Sequence, residues 1–132
     1  FLSFQIVVPI HYMWRPDITI EDGAAEIVSP NNGKVTKEGH LIWKTRQRMR
    51  FSCDLQNLTS LSGATCRIQL GSWSYTKQEL TLRLLDPAEV LTSGYSVNSR
   101  YKLMNASLEE SSYELPAGQY EEITLIFSLR DK

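Results

Sequence analysis

Apolar and polar positions alternate with a period of two along most of this chain, and Val, Ile, Leu and aromatic residues fill the apolar places. That is the pattern of strands with one buried face and one wet face. Residues 3–10 open with such a run, stopped by Pro9. Turn signals follow at Glu21-Asp22-Gly23, at residues 29–33 and at Lys37-Glu38-Gly39, with room between the first two for only a short strand at 26–28. Residues 41–53 predict the clearest strand. Leu41, Trp43, Met49, Phe51 and Cys53 share one parity, and Ile42, Lys44, Arg46, Arg48 and Arg50 the other. Ala64, Cys66, Ile68 and Leu70 again fall on one side, opposite Arg67 and Gln69, and Leu80, Leu82 and Leu84 repeat the pattern. Asp86-Pro87-Ala88 opens a helical turn or a loop, and residues 93–96 are loop. Residues 100–104 and 109–115 predict two further strands, although 108–112 also fits a short helix. Pro116-Ala117-Gly118 makes a hairpin tip. A final strand over 121–130 turns Ile123, Leu125, Phe127 and Leu129 inward. Hairpins at such spacing, with no convincing helix of three turns, predict an all-β sandwich or barrel of antiparallel strands.

With 132 residues the chain is expected to form one domain, long enough for a real core. Its formal net charge of −1 lacks the electrostatic footprint of a nucleic-acid binder. The cations at 44, 46, 48 and 50 read as a solvated or subunit-facing strand surface, since no aromatic residue interleaves with them. No run is apolar for the eighteen or so residues that span a bilayer. The apolar start at 1–10 has no basic flank and reads as a strand, not as a signal peptide.

Cys53 and Cys66 are the only cysteines, and they close a loop the size of a hairpin. So short a loop suggests an oxidised bridge, against the alternative of two buried free thiols. Asn57-Leu58-Thr59, inside that loop, and Asn105-Ala106-Ser107 are glycosylation sequons. Together with the cysteine pair they favour an oxidising, secreted context. Catalysis has little support. His11 and His40 lie in unrelated surroundings, the bridge leaves no metal-ligand cluster, and Ser74-Tyr75-Thr76-Lys77 is a Ser-x-x-Lys without its usual partner motifs. No metal or other cofactor is expected.

The Cys53–Cys66 pair, Gly71-Ser72-Trp73 and the earlier Trp14-Arg15-Pro16-Asp17 together resemble the extracellular ligand-binding domain of the pentameric Cys-loop receptors, over residues 8–130. Most members carry Pro-Phe-Asp inside the cysteine loop. Here Thr59-Ser60-Leu61-Ser62-Gly63 stands there, followed by Ala64-Thr65-Cys66-Arg67-Ile68, a polar variant similar to the soluble acetylcholine-binding proteins. The resemblance implies an immunoglobulin-like antiparallel β-sandwich whose N-terminal helix and first strands precede Phe1. It also implies a ring of identical subunits, a homopentamer. Between them a small cationic ligand, acetylcholine or a nicotinic compound, would be held by aromatic faces.

By that resemblance Trp73 is the ligand-stacking tryptophan, and Tyr113 and Tyr120 are the tyrosines of a loop that closes on the ligand. Taken singly, each reads as an ordinary half-buried core residue. Trp14 is expected to pack as structure. The family's contact tyrosine seven positions later is Glu21 here. A vicinal cysteine pair in the closing loop is replaced by Leu115 and Pro116, which supply apolar contact and rigidity without sulfur. Across the subunit boundary the matching positions are Lys34, Ile42 and Lys44. Ile42 is apolar as the pattern requires, whereas Lys44 would repel a cation. The location implied is extracellular, in a synaptic cleft or haemolymph. Two alternatives stand beside a soluble binding protein. One is the ectodomain of a ligand-gated channel; the other is a family member kept as an assembly scaffold with weak ligand affinity.

Overall fold

The computed structural model describes residues 5–56, 62–85, 90–95 and 100–131. Among them are nine strands: β1 (Gln5–Pro9), β2 (Ile18–Ile20), β3 (Gly23–Ile27), β4 (Asn32–Thr36), β5 (Leu41–Ile42), β6 (Gln47–Phe51), β7 (Ala64–Ser72), β8 (Tyr101–Leu115) and β9 (Gly118–Asp131). The only helical piece among the described residues is a 3-10 turn, Ile10–Tyr12. The class is all-β with antiparallel pairing, as the alternation predicts. Two compact units form, one of Phe1–Pro16 with Ala25–Arg50, the other of Asp17–Ala24 with Phe51–Lys132.

In the first unit β4 lies between β1 and β5, with Gln5 opposite Thr36 and Lys34 opposite Ile42. Pro9 ends β1, and the chain turns so that Ile10, 2% exposed, enters the interior with its N–H donating to the Asn31 carbonyl. Gly33 makes room for it. A Cβ there would stand 2.9 Å from Leu41 Cδ1 and 3.2 Å from Ile10 Cδ1. β3 pairs with β6. The single strand expected over 41–53 is therefore two, because β5 and β6 take different partners. At the break the Ser29 hydroxyl accepts the Arg46 N–H, and the Arg46 carbonyl accepts the Val28 N–H. The alternation survives the break: Leu41, Trp43, Thr45 and Met49 are half-buried, and Ile42, Lys44, Arg46, Arg48 and Arg50 are exposed. Trp43, with the Arg15 guanidinium 5.8 Å from its ring centre, is the packed tryptophan of this unit. Trp14, expected to be packed, is 65% exposed, since the corner after Pro9 buries Ile10 instead.

The second unit is a four-stranded sheet in the order β2-β7-β9-β8. Cys66, Ile68 and Leu70 face Phe127, Leu125 and Ile123 in register, and Ala106 and Leu108 continue that apolar face across β8. Phe51 meets Phe127 edge to face at 5.7 Å. The two strands expected over 100–115 are one, with an irregularity between Leu103 and Asn105 that takes up Met104. That extra residue shifts the alternation mid-strand, which made one strand look like two. It also puts 108–112 in a strand and not a helix. Leu80, Leu82 and Leu84, expected in a strand, lie outside any strand. Carboxylates stand in for a ladder there: Glu121 accepts the Leu82 N–H and Glu110 the Leu84 N–H, while Arg83 lies 3.7–3.8 Å from both acids. The β8–β9 turn closes on Leu115 opposite Gly118, whose φ of 140° suits glycine alone. Residues 86–88, Ser96 and Asn57 lie outside the described residues, and Ser93 and Gly94 are in a turn.

Candidate functional site

Register fixes which side chains of the second unit share a face. Tyr113 stands directly opposite Tyr120, Ser111 and Gly71 flank Glu122, and Gln69 and Glu109 flank Thr124. On β2, Thr19 is opposite Gly71, and the Glu21 N–H donates to the Gln69 carbonyl one pair further on. All of these belong to one polar face, opposite the apolar one. Continuing the β7–β9 register two residues past Gly71 sets Trp73 level with Tyr120. Trp73, Tyr120 and Tyr113 therefore end one row of the face, above Glu122 and Glu21.

A side-chain network at the end of β7 holds the backbone of Trp73. Ser72, 5% exposed, donates its hydroxyl to Asp17 Oδ1 at 2.5 Å and accepts the Tyr75 N–H. Asp17 Oδ2 accepts the Ser74 N–H at 2.9 Å, and the Asp17 carbonyl accepts the Trp73 N–H at 3.4 Å. Two strand ends are thereby clamped on either side of Trp73, whose ring is 80% exposed. The loop beyond it returns to the hairpin base, where the Lys77 N–H donates to the Gln119 carbonyl.

The tyrosines stack on each other, rings 11° from parallel and 5.5 Å apart, with Tyr120 at 9% exposure and Tyr113 at 39%. That spacing leaves no room for a cation between them. The faces open to one are the outer side of Tyr113 and the ring of Trp73. Beneath them Glu122 is 8% exposed, and its Oε1 accepts from Gln69 Nε2 at 3.1 Å and from Ser111 Oγ at 3.2 Å. Burial, then the carboxylates of Glu122 and Glu21, and lastly Tyr120, push the Tyr113 phenol above its ordinary pKa. The folded chain keeps that proton at a pH where the unfolded chain has lost it. Its stability is therefore expected to fall as pH rises through the ordinary tyrosine range. Chemical denaturation of the native protein and of Tyr113→Phe between about pH 8 and about pH 11 checks this, the variant losing part of the alkaline decline.

Six of the nine residues singled out as ligand contacts belong to this unit: Glu21 and Trp73, the two tyrosines, and Leu115 and Pro116 at the exposed hairpin tip. Lys34, Ile42 and Lys44 gather on an exposed face of the other unit, where Lys34 pairs with Ile42 and Lys44 repeats the parity of Ile42. Cys53 and Cys66 form a disulfide with Cα atoms 5.4 Å apart. Asn105 is exposed on β8 beside the irregularity. Sequence reasoning passed over Glu122, Gln69 and Ser111. The available signal was Glu122 two positions after Tyr120, an acid on the same parity as a site tyrosine. Among the described residues, no three His, Cys, Asp or Glu are grouped to hold a metal ion.

Residues 3–132 match the family described as the neurotransmitter-gated ion-channel ligand binding domain. Acetylcholine-binding protein type 1 of Biomphalaria glabrata superposes with a TM-score of 0.87 at 35% identity, covering 100% of this chain and 66% of that one. The acetylcholine-binding protein of Bulinus truncatus gives 0.85 at 30%, over 97% and 65%. An acetylcholine receptor subunit alpha-like of Manduca sexta is 26% identical over 121 residues, 86% of this chain and 23% of that subunit. The chain thus spans about a quarter of that receptor subunit and just under two thirds of the structures it matches. The immunoglobulin-like β-sandwich class expected from the motifs is the one these matches carry, and the chain belongs to the neurotransmitter-gated ion-channel ligand-binding domain family.

Proposed function

We propose that the 132 residues act as one ligand-binding domain of a soluble, extracellular protein like the acetylcholine-binding proteins, without catalysis. The ligand is a small cation of nicotinic type, held at an aromatic site between subunits of a ring, taken to be a homopentamer. One observation carries this reading: the Trp73 ring is 80% exposed while its backbone is clamped by Asp17 and Ser72. An indole held out of the core at such a cost in apolar exposure suits a face that something else covers. Trp73 and the outer face of Tyr113 supply the quadrupoles, and Glu21 and Glu122 a negative field that favours a cation. Leu115 and Pro116 give apolar contact from the hairpin tip. Ile42 offers an apolar wall from the neighbouring subunit, with Lys34 and Lys44 at its edge.

Calorimetric titration of the full-length protein with acetylcholine and nicotine tests the reading. Micromolar or tighter binding is expected, weakened at least about tenfold in Trp73→Ala, since each well-placed ring contributes about 2 kcal/mol or more. An intact ring that binds neither ligand would leave the assembly-scaffold reading in its place. The receptor subunits among the relatives favour a second reading, the ectodomain of a ligand-gated channel. No helix among the described residues is long and apolar enough to cross a membrane. Sequencing the transcript beyond Lys132 separates these two readings.

A further inference from the structure

The net charge of −1 conceals a division between the two units. The unit of Phe1–Pro16 and Ala25–Arg50 holds seven Lys and Arg against two acids, Glu26 and Glu38, which leaves a formal +5. The unit of Asp17–Ala24 and Phe51–Lys132 holds the other seven cations against thirteen acids, which leaves −6. Sequence order alone hides this, because the acid-rich segment 17–24 interrupts the basic unit.

The basic charge is concentrated in one place. Lys44, Arg46, Arg48 and Arg50 are all exposed and of one parity along β6 and the segment that leads into it. In extended chain such positions stand roughly 7 Å apart on one side. Arg48 has Glu26 at 3.9 Å, a pair whose side chains are 73% and 71% exposed and which contributes little. In the other unit the end of the sheet that bears the β8–β9 hairpin is acidic, with Glu21, Asp22 and Glu114 exposed. Arg83, a cation at that end, already lies between Glu110 and Glu121.

We propose that the strip Lys44-Arg46-Arg48-Arg50 is a docking surface for the acidic unit of a second copy of this chain. A surface of +5 meeting one of −6 on another copy makes a head-to-tail contact, the kind that closes into a ring. Complementary potentials of this sort set partner choice and speed association more than they add affinity. A nucleic acid fits less well, because the same molecule presents the acidic unit to it. The inference rests on the ring reading and adds which faces meet and by what force.

Sedimentation of the full-length protein across a salt series tests it. The apparent dissociation constant of the assembly is expected to rise at least about tenfold between about 0.05 M and about 0.5 M sodium chloride, as screening shortens. Arg46→Glu with Arg50→Glu is expected to lose assembly, and so is Glu21→Arg with Glu114→Arg. Mixing the two variants in equal amounts restores association, because each then offers the other an opposite face; that recovery also excludes misfolding as the cause of the losses. Assembly unaffected by salt and by either reversal overturns the electrostatic contact and leaves the ring intact. A monomer at every salt concentration overturns both. Retention of the native chain on a sulfated polysaccharide through this strip, without self-association, assigns the surface to a polyanion and overturns the proposal.

Discussion

Replacing Cys53 and Cys66 together by Ala lowers the unfolding free energy by about 3 kcal/mol, the expected effect of opening a closed loop of this length. The bridge joins the chain two residues after β6 to the middle of β7, at a sequence separation of 13. Without it the unfolded chain regains the freedom of that loop, and the folded sheet must hold both ends by packing alone. Cys66 adds to the loss because it is 2% exposed and stands opposite Phe127 on the apolar face, beside the edge contact with Phe51. Truncating it leaves a gap between aromatic neighbours that cannot collapse fully. Guanidinium unfolding of the double variant should show a lower midpoint together with a steeper slope, because an uncrosslinked unfolded chain exposes more surface. An unchanged midpoint would mean that strand pairing already fixes this junction.

The bridge was among the most legible features of the sequence. Two cysteines bounding strand-like runs admit few arrangements, and β7 and β9 were readable because each carries a single uninterrupted alternation. Legibility failed where the alternation survives but the hydrogen-bonding partner changes. Residues 41–53 keep their parity through the break at 43–46, so nothing in their own pattern shows that β5 pairs with β4 while β6 pairs with β3. The opposite error arose in β8. One extra residue at Met104 shifts the parity and made a continuous strand look like two. Leu80, Leu82 and Leu84 mimic a strand by composition, but their backbone is satisfied by the side chains of Glu110 and Glu121, which alternation does not report.

The inward set on β9 was read from hydrophobicity as Ile123, Leu125, Phe127 and Leu129. These residues do line the apolar face, yet the most buried side chains of the strand are Tyr120, Glu122 and Thr124 on the other side. Hydrogen bonds from Gln69 and Ser111 offset the cost of burying the Glu122 carboxylate there. Which unit each site residue would join was likewise invisible, because Asp17–Ala24 belongs with the distant Phe51–Lys132 and not with its sequence neighbours.

Asp17 gives the second large effect, and it couples stability to the site. Its carboxylate receives the Ser72 hydroxyl and the Ser74 N–H, while the Ser72 oxygen in turn receives the Tyr75 N–H. Asp17→Ala removes two of these bonds and leaves the Ser72 hydroxyl, 5% exposed, without its acceptor. The expected cost is about 2 kcal/mol, since a buried polar group stripped of its partner loses more than one ordinary hydrogen bond contributes. Because the same bonds fix the turn on both sides of Trp73, ligand affinity should fall by about tenfold or more even though Asp17 touches no ligand. The pH dependence separates this positioning role from a general loss of stability. The Ser72 hydrogen bond is the main cause holding the Asp17 carboxyl below its ordinary pKa; desolvation opposes it and Ser74 reinforces it. A group lowered in the folded state contributes stability that is present above its unfolded pKa and is lost as pH falls through the lowered folded value. Asp17→Asn retains one acceptor and cannot titrate, so its stability should decline less steeply than that of the native protein below about pH 4. Unfolding curves and nicotine titrations of the native protein and both variants, from about pH 3 to about pH 7, test the two consequences together. Stability lost with full affinity retained would show that Trp73 is held by the strands alone, whereas loss of both identifies the Asp17–Ser72 pair as its mount.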